Sequence, residues 1–311
     1  MERPSRGSIV PRGAAVGNEP FAATLPVAGE PTNRWVAAIA HPGVPNNHAG
    51  MPELPITSRQ NPRVKRAVQL RQHRWRRREG RLLIDGSREI ARAWDAGVVQ
   101  LEGYHSQPPT KCDSELIARL AANGSDILPV SPPVFEKLAF GDRRQGLVVV
   151  GAVPDRRLAD IQMPANALVL IVEGIEKPGN LGAIIRTADA AGVDAVCVVA
   201  GQTDMWNPNT IRASVGTVFR PNVCEADRAQ VADWVRRNQL QLLATRPDAD
   251  ELLFDVELTG PVAILLGNEA AGLTDAWPEA HRVRLPMHGI SDSLNVSATA
   301  AVALYEAVRQ R

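Results

Sequence analysis

Three separated segments hold the residues best suited to chemistry in this chain of 311 residues. They read "EKPGNLGAIIRTADAAGVDAV" (176–196), "LLGNEAAGL" (265–273) and "LPMHGISDSLNVSATAAVALYEA" (285–307). Each one lies at the end of a short apolar run that is typical of a strand buried on both faces. Because ligands of open α/β sheets gather at the carboxyl ends of the strands, the three segments can share one pocket.

The first segment places a single arginine, Arg186, in a helical pattern that is otherwise mostly apolar. A guanidinium near a helix start suits a phosphate, since its planar fork can make two parallel hydrogen bonds. A simpler interpretation also holds. The Pro, Gly and Asn residues of "PGNLG" favour a turn and a helix start, and an arginine stem can lie along an apolar surface. The residues alone leave both interpretations open.

The other two segments also have purely structural interpretations. Gly267 and Glu269 can be a turn glycine and an exposed acid. The last segment can be a C-terminal helix from about residue 293, capped by Ser291 or Ser293. Its helical spacing predicts a core face made of Leu294, Ala298, Ala301, Tyr305 and Val308.

Several other classes of protein are excluded by missing patterns. The chain has neither the GxGxxG fingerprint of dinucleotide-binding oxidoreductases nor the GxxxxGK[ST] of a P-loop. Cys112, Cys197 and Cys224 are too widely spaced for a zinc site and odd in number, which favours a reduced cytoplasmic location. The six histidines show no metal-ligand spacing, so no metal is expected.

Charge is unevenly divided along the chain. The net charge is only +1, yet ten Lys or Arg and one acid, Glu79, lie between Arg59 and Arg81. So many like charges repel each other unless a partner supplies the anion, which favours RNA over a merely solvated helix face. Trp75 within this stretch can either stack on a base or pack on its own domain.

Periodicity divides the chain into four parts. Residues 1–54 are rich in Pro, Gly, Ala and Asn and are predicted to be disordered, so Met51 is a candidate start. A transit peptide is the competing interpretation of this tail, although its glutamates argue against one. Residues 55–153 and 167–311 both alternate helices and strands, and 154–166 is predicted to be a linker. No apolar run approaches the roughly 20 residues of a membrane helix.

At this point the three segments, with "NPNTIRASVGTVFRP" (207–221), resemble the signature motifs of the SpoU/TrmH family of RNA ribose 2'-O-methyltransferases, in the SPOUT superfamily. The resemblance covers about 167–311. It implies an α/β fold with a parallel sheet and a deep trefoil knot, S-adenosylmethionine as cofactor, and a homodimer. Residues 56–150 resemble the family's substrate-binding domain, which is similar to ribosomal protein L30e.

The resemblance also implies roles for individual residues. The catalytic site would contain Asn180, Arg186, Glu269, Ser293 and Asn295. The cofactor would be held by Gly267, Leu285, Pro286, Met287 and Leu294. The charge of the basic segment predicts RNA contacts for Arg59, Arg63, Lys65, Arg74, Arg76, Arg77 and Arg78. The family context implies that Arg212 and Ser214 contact RNA or the dimer partner's site.

The function expected from these features is methyl transfer to a ribose 2'-hydroxyl of RNA, most of all large-subunit ribosomal RNA. Transfer RNA is the second candidate substrate. A catalytically silent RNA-binding or ribosome-assembly protein on the same fold is the alternative of a different class, because fold alone does not prove activity. The joint presence of the five catalytic candidates favours the enzyme.

Overall fold

The computed structural model describes residues 54–140, 146–201, 203–268, 273 and 277–311. The predicted disordered tail therefore lies outside the described residues, apart from Leu54. Two sheets organise the part of the chain that is described. The strands of the first lie between residues 81 and 152, and those of the second between residues 168 and 284.

The first sheet is small and mixed. Its described strands run in the order β1-β4-β2-β3, with β4 antiparallel to both neighbours and β3 parallel to β2. The strands are β1 (Arg81–Asp85), β2 (Gln100–Ser106), β3 (Asp126–Val130) and β4 (Leu147–Ala152). The helices around them are α1 (Pro62–Gln69), α2 (His73–Glu79), α3 (Ser87–Asp95), α4 (Lys111–Ala122) and α5 (Pro132–Leu138).

The basic segment forms two helices, whereas the sequence predicts one over about 61–79. Helix α1 ends where the amides of Leu70 and Arg71 bond three residues back, to the carbonyls of Ala67 and Val68. The Arg71 guanidinium then donates to the carbonyls of residues 137–139 at the end of α5. This C-terminal cap holds the chain in the break between α1 and α2.

The second sheet confirms the predicted α/β class with a parallel sheet. Its described strands run in the order β7-β6-β5-β10-β8-β11-β9, and each neighbouring pair is parallel. The strands are β5 (Leu168–Glu173), β6 (Ala195–Val199), β7 (Val223–Glu225), β8 (Gln241–Thr245), β9 (Glu251–Leu252), β10 (Val262–Leu266) and β11 (His281–Arg284). The helices are α6 (Pro178–Ala190), α7 (Pro208–Ala213), α8 (Arg228–Arg237) and α9 (Val296–Gln310).

The central strands of this sheet are buried on both faces. In β5, Leu168 and Leu170 belong to one apolar core, while Val169 and Ile171 belong to another on the opposite face. All residues of β5, β6 and β10 are buried, which explains their unbroken apolar sequences.

The core that includes Leu168 and Leu170 continues into the first sheet. Ile84 and Ile90 belong to the same cluster as Ile211 and Phe219. In the predicted linker, Arg156 donates to the carbonyls of Val218, Phe219 and Arg220, so this segment is itself held by hydrogen bonds. The two sheets therefore share a continuous apolar core.

Helix α9 differs from its prediction in both its start and its buried face. It begins at Val296 and is capped by Asn295, not by Ser291 or Ser293. The predicted core face is wrong, since Leu294, Tyr305 and Val308 are exposed. Because this helix carries apolar residues all round, spacing alone could not select the face. The buried residues are Val296, Ala300, Ala303, Leu304 and Ala307.

Two short elements also differ from expectation. The strand predicted in "VFRPNV" begins only at Val223, because Thr217–Phe219 form a 3-10 turn and Pro221 has no amide hydrogen for a sheet. The two-residue strand β9 was not predicted from the sequence. It is too short to show a period.

Helices α6 and α7 pack so closely at Gly182 that any side chain would collide. An added Cβ would lie 2.6 Å from both the Ala213 Cβ and the Thr210 carbonyl oxygen. We expect Gly182→Ala to lower the free energy of unfolding by about 1–3 kcal/mol, measured by urea denaturation. Gly179→Ala is the matched control in the same helix, since its Cβ would meet no atom within 4 Å. Equal stability of the two variants would contradict the packing argument.

Candidate active site

A cavity of about 440 Å³ lies at the carboxyl ends of β8, β10 and β11. This is the position at which open parallel sheets bind ligands. Its volume is within the range of small-molecule sites. The described residues that line it are Thr245, Arg246, Pro247, Asp248, Leu266, Gly267, Asn268, Leu273, Arg284, Leu285, Met287, Asp292, Ser293, Leu294, Val296 and Thr299.

The structure brings most of the predicted cofactor residues to this cavity. Gly267, Leu285, Met287 and Leu294 line it. Gly267 comes from the segment after β10, whereas the other three come from the segment after β11. Pro286 is half-buried between two lining residues but is not itself one of them. The cavity therefore has a largely apolar wall at the position predicted for the cofactor.

The loop after β8 is a part of the cavity that sequence reasoning missed. Thr245, Arg246, Pro247 and Asp248 all line the cavity. Arg246 Nε donates to Asp248 Oδ1 at 2.9 Å, and this hydrogen bond holds the pKa of Asp248 below its usual range. The signal was present, since "LQLLATRP" reads as a strand followed by a loop at the same sheet edge.

Two side-chain clusters tie the loops at this edge together. Asn268 Nδ2 donates to the Gly174 carbonyl at 2.8 Å and to Glu176 Oε1 at 2.9 Å. The buried carboxylate of Glu173 accepts from Arg228 Nε at 2.6 Å and from Trp277 Nε1 at 3.1 Å. Asn268, which follows β10, is thereby held against the loop that follows β5. Glu269, a predicted catalytic residue, lies outside the described residues.

Helix α6 carries both catalytic candidates of the first segment, Asn180 and Arg186. Pro178 occupies its first turn, where the missing amide hydrogen costs nothing. Asn180 lies in the same turn and is half-buried. Arg186 is exposed, while Ile184 and Ile185 beside it are buried. Its side chain is thus outside the core, as a residue that contacts a second molecule must be.

The last segment supplies Ser293 and Asn295, which the structure places differently. Ser293 lines the cavity. Asn295 Oδ1 accepts from the amide and the hydroxyl of Ser297, at 2.9 and 2.6 Å, and so caps helix α9. The Asn295 oxygen therefore has a structural role, which the sequence motif did not reveal.

Of the two α7 candidates, only Arg212 is at the surface. Its Nη1 donates at 3.2 Å to the carbonyl of Phe140, which belongs to the first sheet region. Ser214 is fully buried, and its hydroxyl donates to the Ile211 carbonyl at 2.9 Å. The expectation that Ser214 contacts RNA is therefore at odds with its burial, since its hydroxyl serves to close α7.

The predicted RNA-binding side chains of the basic segment are exposed except at one position. Arg59, Arg63, Lys65, Arg74, Arg77 and Arg78 are exposed. Arg76 is only 3% exposed and pairs with Asp204, so the expectation of an RNA contact conflicts with its position. Trp75 packs on its own domain, and the guanidiniums of Arg74 and Arg78 lie 5.6 and 5.1 Å from its ring centre. Self-packing is thus the interpretation of Trp75 that the contacts favour.

The described parts of the chain show neither a metal-binding cluster nor a membrane-spanning helix. There, no group of three or more His, Cys, Asp and Glu side chains is arranged to hold a metal ion. None of the helices found in those parts combines the length and apolar character needed to span a bilayer.

Comparison with known proteins assigns both regions. Residues 167–305 match the model of the SpoU rRNA methylase family, and residues 61–149 match that of the MRM3-like substrate-binding domain. A 23S rRNA (uridine(2479)-2'-O)-methyltransferase of Streptomyces viridochromogenes is 32% identical over 251 residues, covering 76% of this chain and 85% of that protein. The chain belongs to the SpoU rRNA methylase family. The resemblance noted in the sequence is thereby confirmed.

Solved structures of SpoU-like enzymes agree with the fold. A crystal structure of an RNA 2'-O ribose methyltransferase is 40% identical with a TM-score of 0.72, covering 83% of this chain and 99% of that one. An AdoMet-bound rRNA methyltransferase from Sinorhizobium meliloti is 29% identical with a TM-score of 0.76, covering 82% and 97%. The likeness to these methyltransferase structures therefore extends over both described sheets.

Proposed function

We propose that this SpoU-family protein transfers a methyl group from S-adenosylmethionine to a ribose 2'-hydroxyl of large-subunit ribosomal RNA. The observation that carries the proposal is the cavity at the carboxyl ends of β8, β10 and β11, lined by the predicted residues Gly267, Leu285, Met287, Ser293 and Leu294. Proteins similar along most of the chain are named as 23S rRNA 2'-O-methyltransferases.

The cavity suits S-adenosylmethionine chemically. Leu285, Met287 and Leu294 offer apolar walls for an adenosine, and Gly267 has no side chain to obstruct a ligand. Arg246, Asp248 and other polar residues at the rim can bind an amino acid's charged groups or a ribose. When bound, the cofactor supplies an electrophilic methyl group on a sulfonium. The residues that line the cavity thus fit the predicted cofactor.

The chain's own contribution is mainly positioning. With S-adenosylmethionine held by Gly267, Leu285 and Leu294, the sulfonium would supply its methyl group to the ribose 2'-oxygen, and the hydroxyl proton would pass to solvent or an RNA phosphate. We assign exposed Arg186 to a backbone phosphate next to the reacting ribose, and Asn180, in the first turn of the same helix, to the same site. Arginine stays protonated in proteins, so it orients the ribose and stabilises charge, and the proton goes to another acceptor.

Ribosomal RNA is favoured over transfer RNA as the substrate. The Streptomyces viridochromogenes relative is named as a 23S rRNA methyltransferase, and residues 61–149 match the MRM3-like substrate-binding domain. A silent RNA-binding protein would not need a cavity large enough for a cofactor. The presence of this cavity therefore favours the enzyme. A cytoplasmic location follows from this substrate.

The finer points of the fold belong to the same proposal. We take residues 55–153 as an L30e-like RNA-binding domain and 154–166 as its linker to the SPOUT domain. A trefoil knot within 167–311 is inferred from membership of the SpoU family, in which α9 would be the threaded segment, and α9 packs against α6 and β10. The last residue, Arg311, reaches the carbonyls of Leu258 and Gly260, just before β10.

A homodimer through α9 completes the proposed assembly. The apolar residues Val302, Tyr305 and Val308 are exposed along this helix, together with the small residue Ala298, and exposed Leu294 lies just before it. Such a stripe can pack against its own copy around a two-fold axis. Leu294 also lines the cavity, so a second copy would sit beside the cofactor.

The cofactor assignment is tested at Gly267. Gly267→Val places a branched side chain at the cavity wall, and we expect about 10- to 100-fold weaker binding of S-adenosylmethionine by calorimetry. Gly260→Val is the control, since an added Cβ there meets no atom within 4 Å. Undiminished binding by the Gly267 variant would place the cofactor elsewhere.

The catalytic assignment is tested at Arg186. Arg186→Ala should lower the rate of methyl transfer about 100-fold or more, with unchanged folding and cofactor binding, because the exposed side chain is needed only for RNA. Arg186→Lys should restore little, because an ammonium lacks the planar fork. The rate is measured from labelled methyl incorporation into ribosomal RNA. Full activity in the lysine variant would show that charge alone suffices.

The RNA-docking surface is tested on α2. Arg74→Gln, Arg77→Gln and Arg78→Gln combined should weaken RNA binding and reduce its salt slope by up to about three, since fewer counterions are released. Cofactor affinity should be unchanged. The double variant Arg236→Gln, Arg237→Gln on α8 is the control for lost arginines. Binding that keeps the native salt slope would exclude α2 as the docking surface.

The dimer surface is tested at Tyr305. Tyr305→Asp should convert the dimer to a monomer, because a carboxylate would be buried against an apolar face. Light scattering after size-exclusion chromatography measures the mass. Val99→Asp is the control, since Val99 and Tyr305 are both 50% exposed. A native mass for the Tyr305 variant would show that α9 is not the interface.

A further inference from the structure

Helix α2 carries four arginines, and one of them faces inward. Arg74, Arg77 and Arg78 are exposed, whereas Arg76 is buried. Arg76 Nη1 donates to the Leu70 carbonyl at 2.7 Å, and Nη2 donates to Asp204 Oδ2. Asp204 follows β6 in the second sheet region, so this ion pair joins the proposed RNA-docking helix to the methyl-transfer region.

The Arg76–Asp204 pair is poorly suited to stabilising the folded protein. Arg76 Nε and Asp204 Oδ1 are both buried and have no hydrogen-bond partner among the described residues. A buried ion pair with unsatisfied atoms often stabilises a protein no more than an apolar pair of similar size. Instead, the pair fixes the orientation of Arg76 relative to Asp204, because a guanidinium and a carboxylate hold each other in few geometries.

A second contact between the same two regions lies at Gly216. Gly216 has a positive φ of 83°, and an added Cβ would lie only 3.2 Å from the Cα of Glu89 in α3. Next to it, Arg92 Nη1 donates to the Val215 carbonyl at 2.6 Å. The first sheet region is therefore held against the second at two separate positions, and is not merely tethered by residues 154–166.

We propose that Arg76 and Asp204 are positioning residues that select which ribose is methylated. Arg74, Arg77 and Arg78 share the short helix α2 with Arg76, so any rotation of that helix would move all three. RNA held by their guanidiniums would then present a ribose at a fixed distance to the cavity. The inference rests on the proposed function and adds its site selectivity.

The test removes the orienting ion pair but keeps buried side chains of similar size at both positions. In the double variant Arg76→Met, Asp204→Leu, apolar side chains replace both charges, so stability should stay near native. We expect native cofactor binding, a kcat/KM for ribosomal RNA reduced by up to about 100-fold, and methyl groups spread over neighbouring riboses. Methylated positions are mapped by sequencing. The single variant Arg76→Met leaves Asp204 with only one ion-pair partner among the described residues, His73, whose Nε2 lies 3.8 Å from Oδ2, and hydrogen exchange should accelerate in α2 and in 203–216.

Two controls separate the possible outcomes. Arg77→Met removes a neighbouring exposed charge, and should raise KM for RNA without changing the methylated position. Arg236→Met breaks an exposed ion pair with Asp233 and should behave as the native protein. The inference is overturned if the double variant methylates the native ribose with native kcat/KM, or if exchange in Arg76→Met is unchanged. Native protein that binds cofactor but methylates no RNA would overturn the proposed function itself, while the exchange result still judges the pair.

Discussion

Burial of the parallel sheet on both faces is the constraint on which the rest of this structure depends. Strands such as β5 and β10 can be covered on two sides only if helices return between them, so all their carboxyl ends reach one edge. The loops at that edge cannot be apolar core, and they gather the cavity-lining residues from distant parts of the chain. The position of the site thus follows from the packing of the sheet.

Such loops would be loose without further contacts, because a loop has little apolar surface of its own to bury. The buried carboxylate of Glu173 supplies one contact by binding Arg228 and Trp277 together. Asn268 supplies another, since its amide bonds both the carbonyl of Gly174 and the side chain of Glu176. A charged group in the interior is costly unless it is paired, so these partners are set with little freedom. Rigid loops are what a reaction governed by positioning requires.

The sequence predicts features that depend on local pattern, and these agree with the structure where the pattern has one interpretation. The apolar runs of β5, β6 and β10 indicated the parallel sheet, and the strand-end rule indicated a shared pocket. The resemblance to the family then implied Gly267, Leu285, Met287 and Leu294, which line the cavity. The buried face of α9 could not be predicted, because apolar residues surround the helix and the neighbours decide. The loop after β8 was missed because "TRPDAD" resembles no motif, although the strand-end rule applied to it.

Arg76 and Arg186 show most clearly where sequence reasoning ends. Both are arginines in helices that were expected to meet RNA, yet one is buried and the other exposed. Nothing within the basic segment distinguishes Arg76 from Arg77, because the difference lies in Asp204, 128 residues further along the chain. An arginine's role depends on whether a carboxylate meets it inside the protein or a phosphate meets it outside. Charge along the sequence therefore predicts that RNA binds here, while only the fold determines which guanidiniums are left to bind it.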